Sequence, residues 1–180
     1  EAKNFEIIFT GNIKRFNDDR GLNFIINSFL NEKMPEKFKL KIIGWPLEQI
    51  NELRELVRSL KMDSRISIVD KLDRESTISN IQNADIGLLI NSSTDRHSLM
   101  HTSPLKYFEY LYAGLNIVAV DFPSHRALPF SENISFFHEN NEEEFIQAIF
   151  ESLSKDSIQK DQLKSITLEE RVNKLLLFIK

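Results

Sequence analysis

The stretch "HTSPLKYFEYLYAGLNIVAVD", residues 101–121, carries a helix and the strand after it, with both ends of the helix marked. Ser103 suits the N-cap, because its hydroxyl can accept from an amide one turn in, and Pro104 suits the first helical position, where no donor is needed. Gly114 fits the residue just past the helix, where a left-handed backbone costs glycine nothing. Asn116 to Asp121 then reads as a buried strand. At about 100° per residue, Leu105, Phe108, Leu111 and Tyr112 share one broad face, predicted to be core, and Lys106 and Glu109 stand at its polar edge.

A helix N-terminus offers unpaired amides and a partial positive charge, so it can seat a phosphate, and Lys106 in the first turn would add a formal charge. Glu109, one turn deeper, is unsuited to phosphate but well suited to accept hydrogen bonds from vicinal hydroxyls such as those of a ribose. The competing reading makes Lys106 and Glu109 a solvated i,i+3 ion pair worth a few tenths of a kcal/mol. Only the rest of the chain decides between them.

Outward from this unit, strands and helices alternate. Strands are expected at Phe5–Thr10, Phe38–Ile43, Arg65–Val69, Asp85–Ile90, Asn116–Asp121 and Ile134–Phe137. Helices are expected at Asp18–Asn31, Leu47–Leu60, Arg74–Asn83 with Asp73 as cap, and Glu142–Leu153. Asn91–Thr102 reads as a polar loop, as do the residues around Pro123 and Pro129. A charged hinge near Lys155–Lys164 precedes a last helix opened by Thr167, with Glu170 completing a capping box. Strands separated by helices of this length imply right-handed βαβ units and an α/β fold, a Rossmann-like doubly wound parallel sheet of about six strands. Residues 1–165 form the expected domain, and 166–180 a C-terminal helix packed on or beside it. In such sheets ligands sit beyond the carboxyl ends of the strands. Function is therefore sought in Gly11–Gly21, Gly44–Pro46, Asp70–Asp73 and Asn91–Ser103.

Composition excludes several classes. A chain of 180 residues buries one good core. A net charge of −4 and a pI near 5.6 argue against a nucleic-acid surface. There is no cysteine, hence no disulfide framework or thiolate zinc site, and the four scattered histidines do not suggest a metal site. No apolar stretch approaches the ~20 residues of a transmembrane helix. The first residue is Glu1 and a strand begins almost at once, so a piece of a longer protein is expected. The absence of cysteine is compatible with the cytoplasm, the expected location, with the inner face of the membrane as the alternative.

The segments "FTGNIKRFNDDRGLNFIINSF", "LKIIGWP", "ISIVDKLDRESTISNIQNADIGLLINSS" and "SPLKYFEYLYAGLNIVAVD" occur in an order and spacing that resemble the C-terminal, nucleotide-sugar-binding domain of GT-B glycosyltransferases, specifically the large family 4 group of mostly retaining enzymes. The resemblance covers the whole chain, and the last segment is the most specific. It implies a donor-binding domain that holds a nucleotide-diphosphate sugar without a metal or other cofactor. The acceptor, a glycan or lipid-linked molecule of polysaccharide or glycoconjugate biosynthesis, would come through an N-terminal domain not seen in this sequence. The isolated domain is then expected to bind donor weakly and not to turn over.

Carried over by residue, the resemblance makes Glu109 the ribose ligand and Arg20 a diphosphate contact. Gly11 matches the glycine of the first turn, and the backbone at Lys71 and Leu72 matches the stretch that reads the base. Amides at Thr102, Ser103 and Leu105, with the Lys106 side chain, would face the leaving diphosphate. Two positions depart from the pattern. Asn12 stands where a basic residue often follows the glycine, and His101 stands eight positions before Glu109, where the family has a glutamate near the donor sugar that has been linked to catalysis.

Each assignment has a plainer alternative. Gly11 permits a tight turn, Arg20 pairs with Asp18 or Asp19, His101 is a loop residue, and Lys71 is a surface residue. Lys14 and Arg15 are either solvated loop charges or the positive charge that Asn12 lacks. Trp45 beside Pro46 reads as a packed loop anchor rather than a stacking platform, and the aromatic residues 107–112 as packing. At the level of the whole chain, the alternatives are a non-enzymatic, degenerate nucleotide-sugar-binding domain and a GT-B epimerase or phosphorylase.

Overall fold

The computed structural model describes residues 3–14, 20–94, 96–101, 104–167 and 170. Six parallel strands form one sheet in the order β3-β2-β1-β4-β5-β6: β1 Phe5–Asn12, β2 Phe38–Trp45, β3 Ile66–Asp70, β4 Ile86–Leu89, β5 Asn116–Val120 and β6 Ile134–Phe137. The central strands are buried on both faces, which is why β4 reads as an unbroken apolar run, Ile-Gly-Leu-Leu.

Helices cover both faces. On one, α1 (Leu22–Ser28), α2 (Leu47–Ser59) and α7 (Glu142–Ser152) bury Ile25, Ile26, Leu53, Val57, Phe145 and Ile149 against Ile7, Phe9 and Leu88. On the other, α3 (Arg74–Asn83) and α5 (Leu105–Ala113) bury Ile81, Tyr107, Tyr110 and Leu111 against Ile8, Leu89 and Ala119. Asp73 caps α3 as expected, its carboxylate accepting the Ser76 amide at 2.8 Å. Gly114 ends α5 with φ +78°.

Several expectations are corrected. α1 begins at Leu22 rather than Asp18 because Arg20 and Gly21 both have positive φ, 58° and 85°, which a right-handed helix cannot accommodate. It ends at Ser28, and the next residues form turns. The segment read as a polar loop contains α4 (Arg96–His101), and the Pro123 loop contains α6 (Pro123–Arg126) with its proline at the helix start. Pro104 stands at the N-cap of α5, not inside it, with an extended ψ of 124°. The hinge contains α8 (Lys160–Leu163), whose Leu163 is buried beneath α5. The Glu170 amide donates to Thr167 Oγ1 at 3.3 Å, and the rest of the expected last helix lies outside the described residues.

The phase of α5 is also corrected. Leu105 is 70% and Tyr112 52% exposed, whereas Tyr107, Tyr110 and Leu111 are buried. The tyrosines turn inward because each hydroxyl finds a partner there. Tyr107 donates to the Pro129 carbonyl, and the Tyr110 oxygen accepts the Thr10 amide at 3.2 Å.

Candidate functional site

The chain crosses from one face of the sheet to the other between β1 and β4, and the loops there part to leave a crevice. A cleft of about 540 Å³ opens at that place, lined by residues at the ends of β1, β2 and β3 and by the first turns of α3 and α5. Gly11, Asn12, Arg20, Lys71, Leu72, Leu105, Lys106 and Glu109 all line it, so most of the residues singled out in the sequence converge. Thr102 and Ser103 lie outside the described residues. His101 is the last residue of α4 rather than a loop residue, and its side chain too lies outside the described residues.

Lys106 is the most unusual of these. The residue is half-buried, yet its Nζ is shielded from solvent and has no hydrogen-bond acceptor. It sits 3.8 Å from the centroid of the Phe9 ring. A Cβ on Gly11 would come within 3.2 Å of this Nζ, and Gly11 itself has φ +131°, so a side chain at that position would be both strained and obstructive. Burial holds the Lys106 pKa well below the usual lysine value, the charge of Arg20 lowers it further, and Glu109 opposes both. An ammonium in such surroundings is poised to gain an anion.

Arg20 is fixed from two sides. Its Nε donates to Asn91 Oδ1 at 2.8 Å, its Nη2 reaches the same oxygen, and its Nη1 donates to the Asn12 carbonyl at 3.0 Å. The guanidinium thereby ties the end of β1 to Asn91, two residues past β4. Asn91, buried and separated from β4 only by Ile90, was not singled out in the sequence; a polar residue closing the apolar run of a central strand was the available signal.

Asn12 does not replace the missing base: its Oδ1 accepts the Lys14 amide at 3.1 Å. Nor does Lys14 supply that charge, because its ammonium pairs with Glu52 at 3.3 Å away from the cleft, and Arg15 lies outside the described residues. Glu109, with a side chain 28% exposed, has Arg74 as its ion-pair partner at 3.8 Å and does not pair with Lys106. The i,i+3 surface pair is therefore not what this helix builds.

Trp45 corrects the sequence reading too. It is 41% exposed and lines the cleft instead of anchoring a loop, with Lys71 Nζ 5.4 Å from its ring centroid. A further residue missed in the sequence is His125, fully buried on α6. Its Nδ1 lies 2.8 Å from the Val120 carbonyl and so carries the hydrogen, which leaves Nε2 as a buried acceptor without a partner. Burial, with smaller contributions from Lys106 and Arg20, lowers its pKa. Among the described residues, no group of three or more His, Asp or Glu side chains could hold a metal ion, and no helix is long and apolar enough to cross a membrane.

The family model for glycosyl transferases group 1 matches residues 4–155. No curated protein matches the chain. Among solved structures, it is similar to WaaG, a glycosyltransferase involved in lipopolysaccharide biosynthesis, with 14% identity and a TM-score of 0.60 over 86% of this chain and 39% of that one. The C-terminal domain of LpcC, a glycosyl transferase group 1 family protein from Francisella tularensis, is 17% identical with a TM-score of 0.60, covering 84% of this chain and 76% of that one. Alr3699/HepE from Anabaena, solved in complex with UDP and glucose, is 13% identical with a TM-score of 0.63 over 84% of this chain and 39% of that one. At such identities the likeness is one of fold, and the chain spans 39% of the length of WaaG and of HepE.

Proposed function

The chain belongs to the glycosyl transferases group 1 family, and from that premise we propose that it is the donor half of a retaining hexosyltransferase, holding a nucleotide-diphosphate sugar in the cleft above Gly11. The observation that carries this reading is the ammonium of Lys106, enclosed beside Gly11 at the start of α5 without an acceptor. A rotation of its terminal torsions presents it to a diphosphate lying over the glycine.

Transfer breaks the bond between the anomeric carbon and the β-phosphate oxygen, and the electron pair stays on that oxygen. Charge thus grows where Lys106 and Arg20 converge and where the Leu105 and Lys106 amides, unpaired in the first turn, point. The Arg20–Asn91 bonds hold the guanidinium in place beforehand, which spares reorganisation as the charge develops. Glu109 exchanges its long contact with Arg74 for the ribose hydroxyls, which can donate to a carboxylate as Arg74 does. His101, at the end of α4, is assigned to the neighbourhood of the sugar, in the place of the family's glutamate. The acceptor, a glycan or lipid-linked molecule, and any further catalytic group come from another part of the protein, so the isolated chain binds donor without turning it over.

Calorimetry of Lys106→Ala and Arg20→Ala tests the assignment. A lost charge-assisted contact weakens binding of a nucleoside diphosphate about ten- to a hundredfold and leaves the bare nucleoside unchanged. Equal losses for both ligands would make the two residues structural. A wild-type chain that binds no nucleotide sugar would favour the degenerate, non-enzymatic alternative.

A further inference from the structure

The diphosphate and ribose contacts leave the end of the cleft at Lys71 and Leu72, whose backbone the resemblance gives to the base, without a side chain assigned to the ligand. β1 and β2 run in register to their last residues, so Trp45 lies beside Asn12, and the Trp45 carbonyl accepts the Ile13 amide at 2.9 Å. β3 lies beyond β2 and delivers Lys71 and Leu72. The sheet order therefore arranges the cleft chemically. Cationic groups stand at the β1–β4 crossing, an aromatic ring one strand away at β2, and an aliphatic side chain at β3. With neighbouring strands ~4.8 Å apart, the distance from β1 to β3 is roughly 10 Å, the span of a nucleoside diphosphate from its phosphates to its base.

We propose that Trp45 is the wall against which the base of the donor nucleotide stacks. The inference rests on the donor-site reading above and adds the residue that makes the site prefer a nucleoside diphosphate over a diphosphate alone. An indole exposed at 41% leaves a large apolar surface in water, and the described contact across its face is the ammonium of exposed Lys71. A ring face that attracts a cation also accepts a flat base, which every nucleotide carries. Leu72, half-buried on the neighbouring strand end, closes the apolar side of the same subsite. The sugar, attached at the other end of the diphosphate, lies away from Trp45.

Trp45 is the chain's sole tryptophan, so its fluorescence reports this subsite without interference. UDP, ADP and GDP should quench the emission, whereas pyrophosphate should bind by calorimetry with little change in it. Trp45→Ala should weaken the three nucleoside diphosphates about five- to a hundredfold and leave pyrophosphate affinity unchanged, and Trp45→Phe should recover most of the loss. The pyrophosphate measurement serves as the folding control for both variants. Nucleoside diphosphates that bind Trp45→Ala as tightly as the wild type would overturn the inference while the donor-site reading stands. An equal loss for pyrophosphate would overturn it as well, by making Trp45 a structural residue. If the wild-type chain binds neither kind of ligand, the donor-site reading fails and this inference fails with it.

Discussion

Lys106 sets aside one of the two readings its sequence position allowed, because its ammonium neither pairs with Glu109 nor reaches solvent. Its nitrogen rests on the Phe9 ring beside Gly11, where burial depresses its pKa and Arg20 adds to the effect. On the proposed donor site, a bound diphosphate should raise that pKa, since an adjacent negative charge favours the cationic form. Binding should therefore draw a proton from solution, seen as a binding enthalpy that depends on the ionisation enthalpy of the buffer. The sign of the pH dependence follows. Affinity is greatest below the depressed pKa of the free chain and falls as pH rises through it, because an increasing share of Lys106 must first be protonated. Lys106→Arg keeps the charge and does not titrate in this range, so it isolates the ligand's own phosphate titration. Equal proton uptake and parallel affinity profiles for wild type and Lys106→Arg would remove Lys106 from the phosphate site.

The elements explain how a nine-residue helix is held to the tolerance such a site needs. Tyr110 packs against β4 at Gly87, where a Cβ would come within 2.6 Å of the ring's Cγ, and its oxygen accepts the amide of Thr10, the residue before Gly11. Burial pushes this phenol up to about 12, so it stays neutral at any working pH. Gly87→Ala should consequently lift α5 from the sheet, costing about 1 to 3 kcal/mol in denaturant unfolding and weakening diphosphate binding together. A variant with wild-type stability would show that α5 is not seated by this contact. The same contact explains what sequence could and could not reveal. The strands, the amphipathic α2 and the Asp73 cap follow from period and capping chemistry, which are local. The phase of α5 does not, because two tyrosines turn inward toward partners distant in the chain, Thr10 and the Pro129 carbonyl. Arg20 was legible as a charge in the loop after β1, Lys106 and Glu109 as charges early in the helix before β5, and the departure at Asn12 was visible too. That Asn91 holds Arg20 and that Trp45 keeps an exposed face toward the cleft were not legible, since both depend on which strands become neighbours. α4 was missed because six polar-rich residues carry too little periodicity to separate a helix from a loop.

At the scale of the whole molecule, one sheet separates two apolar clusters, and the site lies where the chain crosses between them. The core supports a cleft that the free chain holds at a disadvantage, since Lys106 places an unpaired charge beside the Phe9 ring. Lys106→Met keeps the length and apolar stem of the side chain and removes the charge, so the free variant should be more stable than wild type by about 1 to 3 kcal/mol. The gap should also shrink with rising pH. The folded-state pKa of Lys106 lies below its unfolded value near 10.4, so the unfolded chain binds more protons, and wild-type stability rises between the two values in a way the methionine variant cannot. On the donor-site reading, ligand should reverse the ranking. A nucleoside diphosphate at about a hundred times its dissociation constant stabilises the wild type by about 2.7 kcal/mol, roughly a 5 to 10 °C rise in Tm for a chain of this size. The variant should show only a small part of that rise at the same concentration. Thermal unfolding of both proteins, with and without the nucleotide and at two pH values, measures all of this at once. A methionine variant that is less stable when free, or that gains as much from the nucleotide as wild type does, would mean that the Lys106 ammonium is part of the packing rather than a group held in reserve for phosphate.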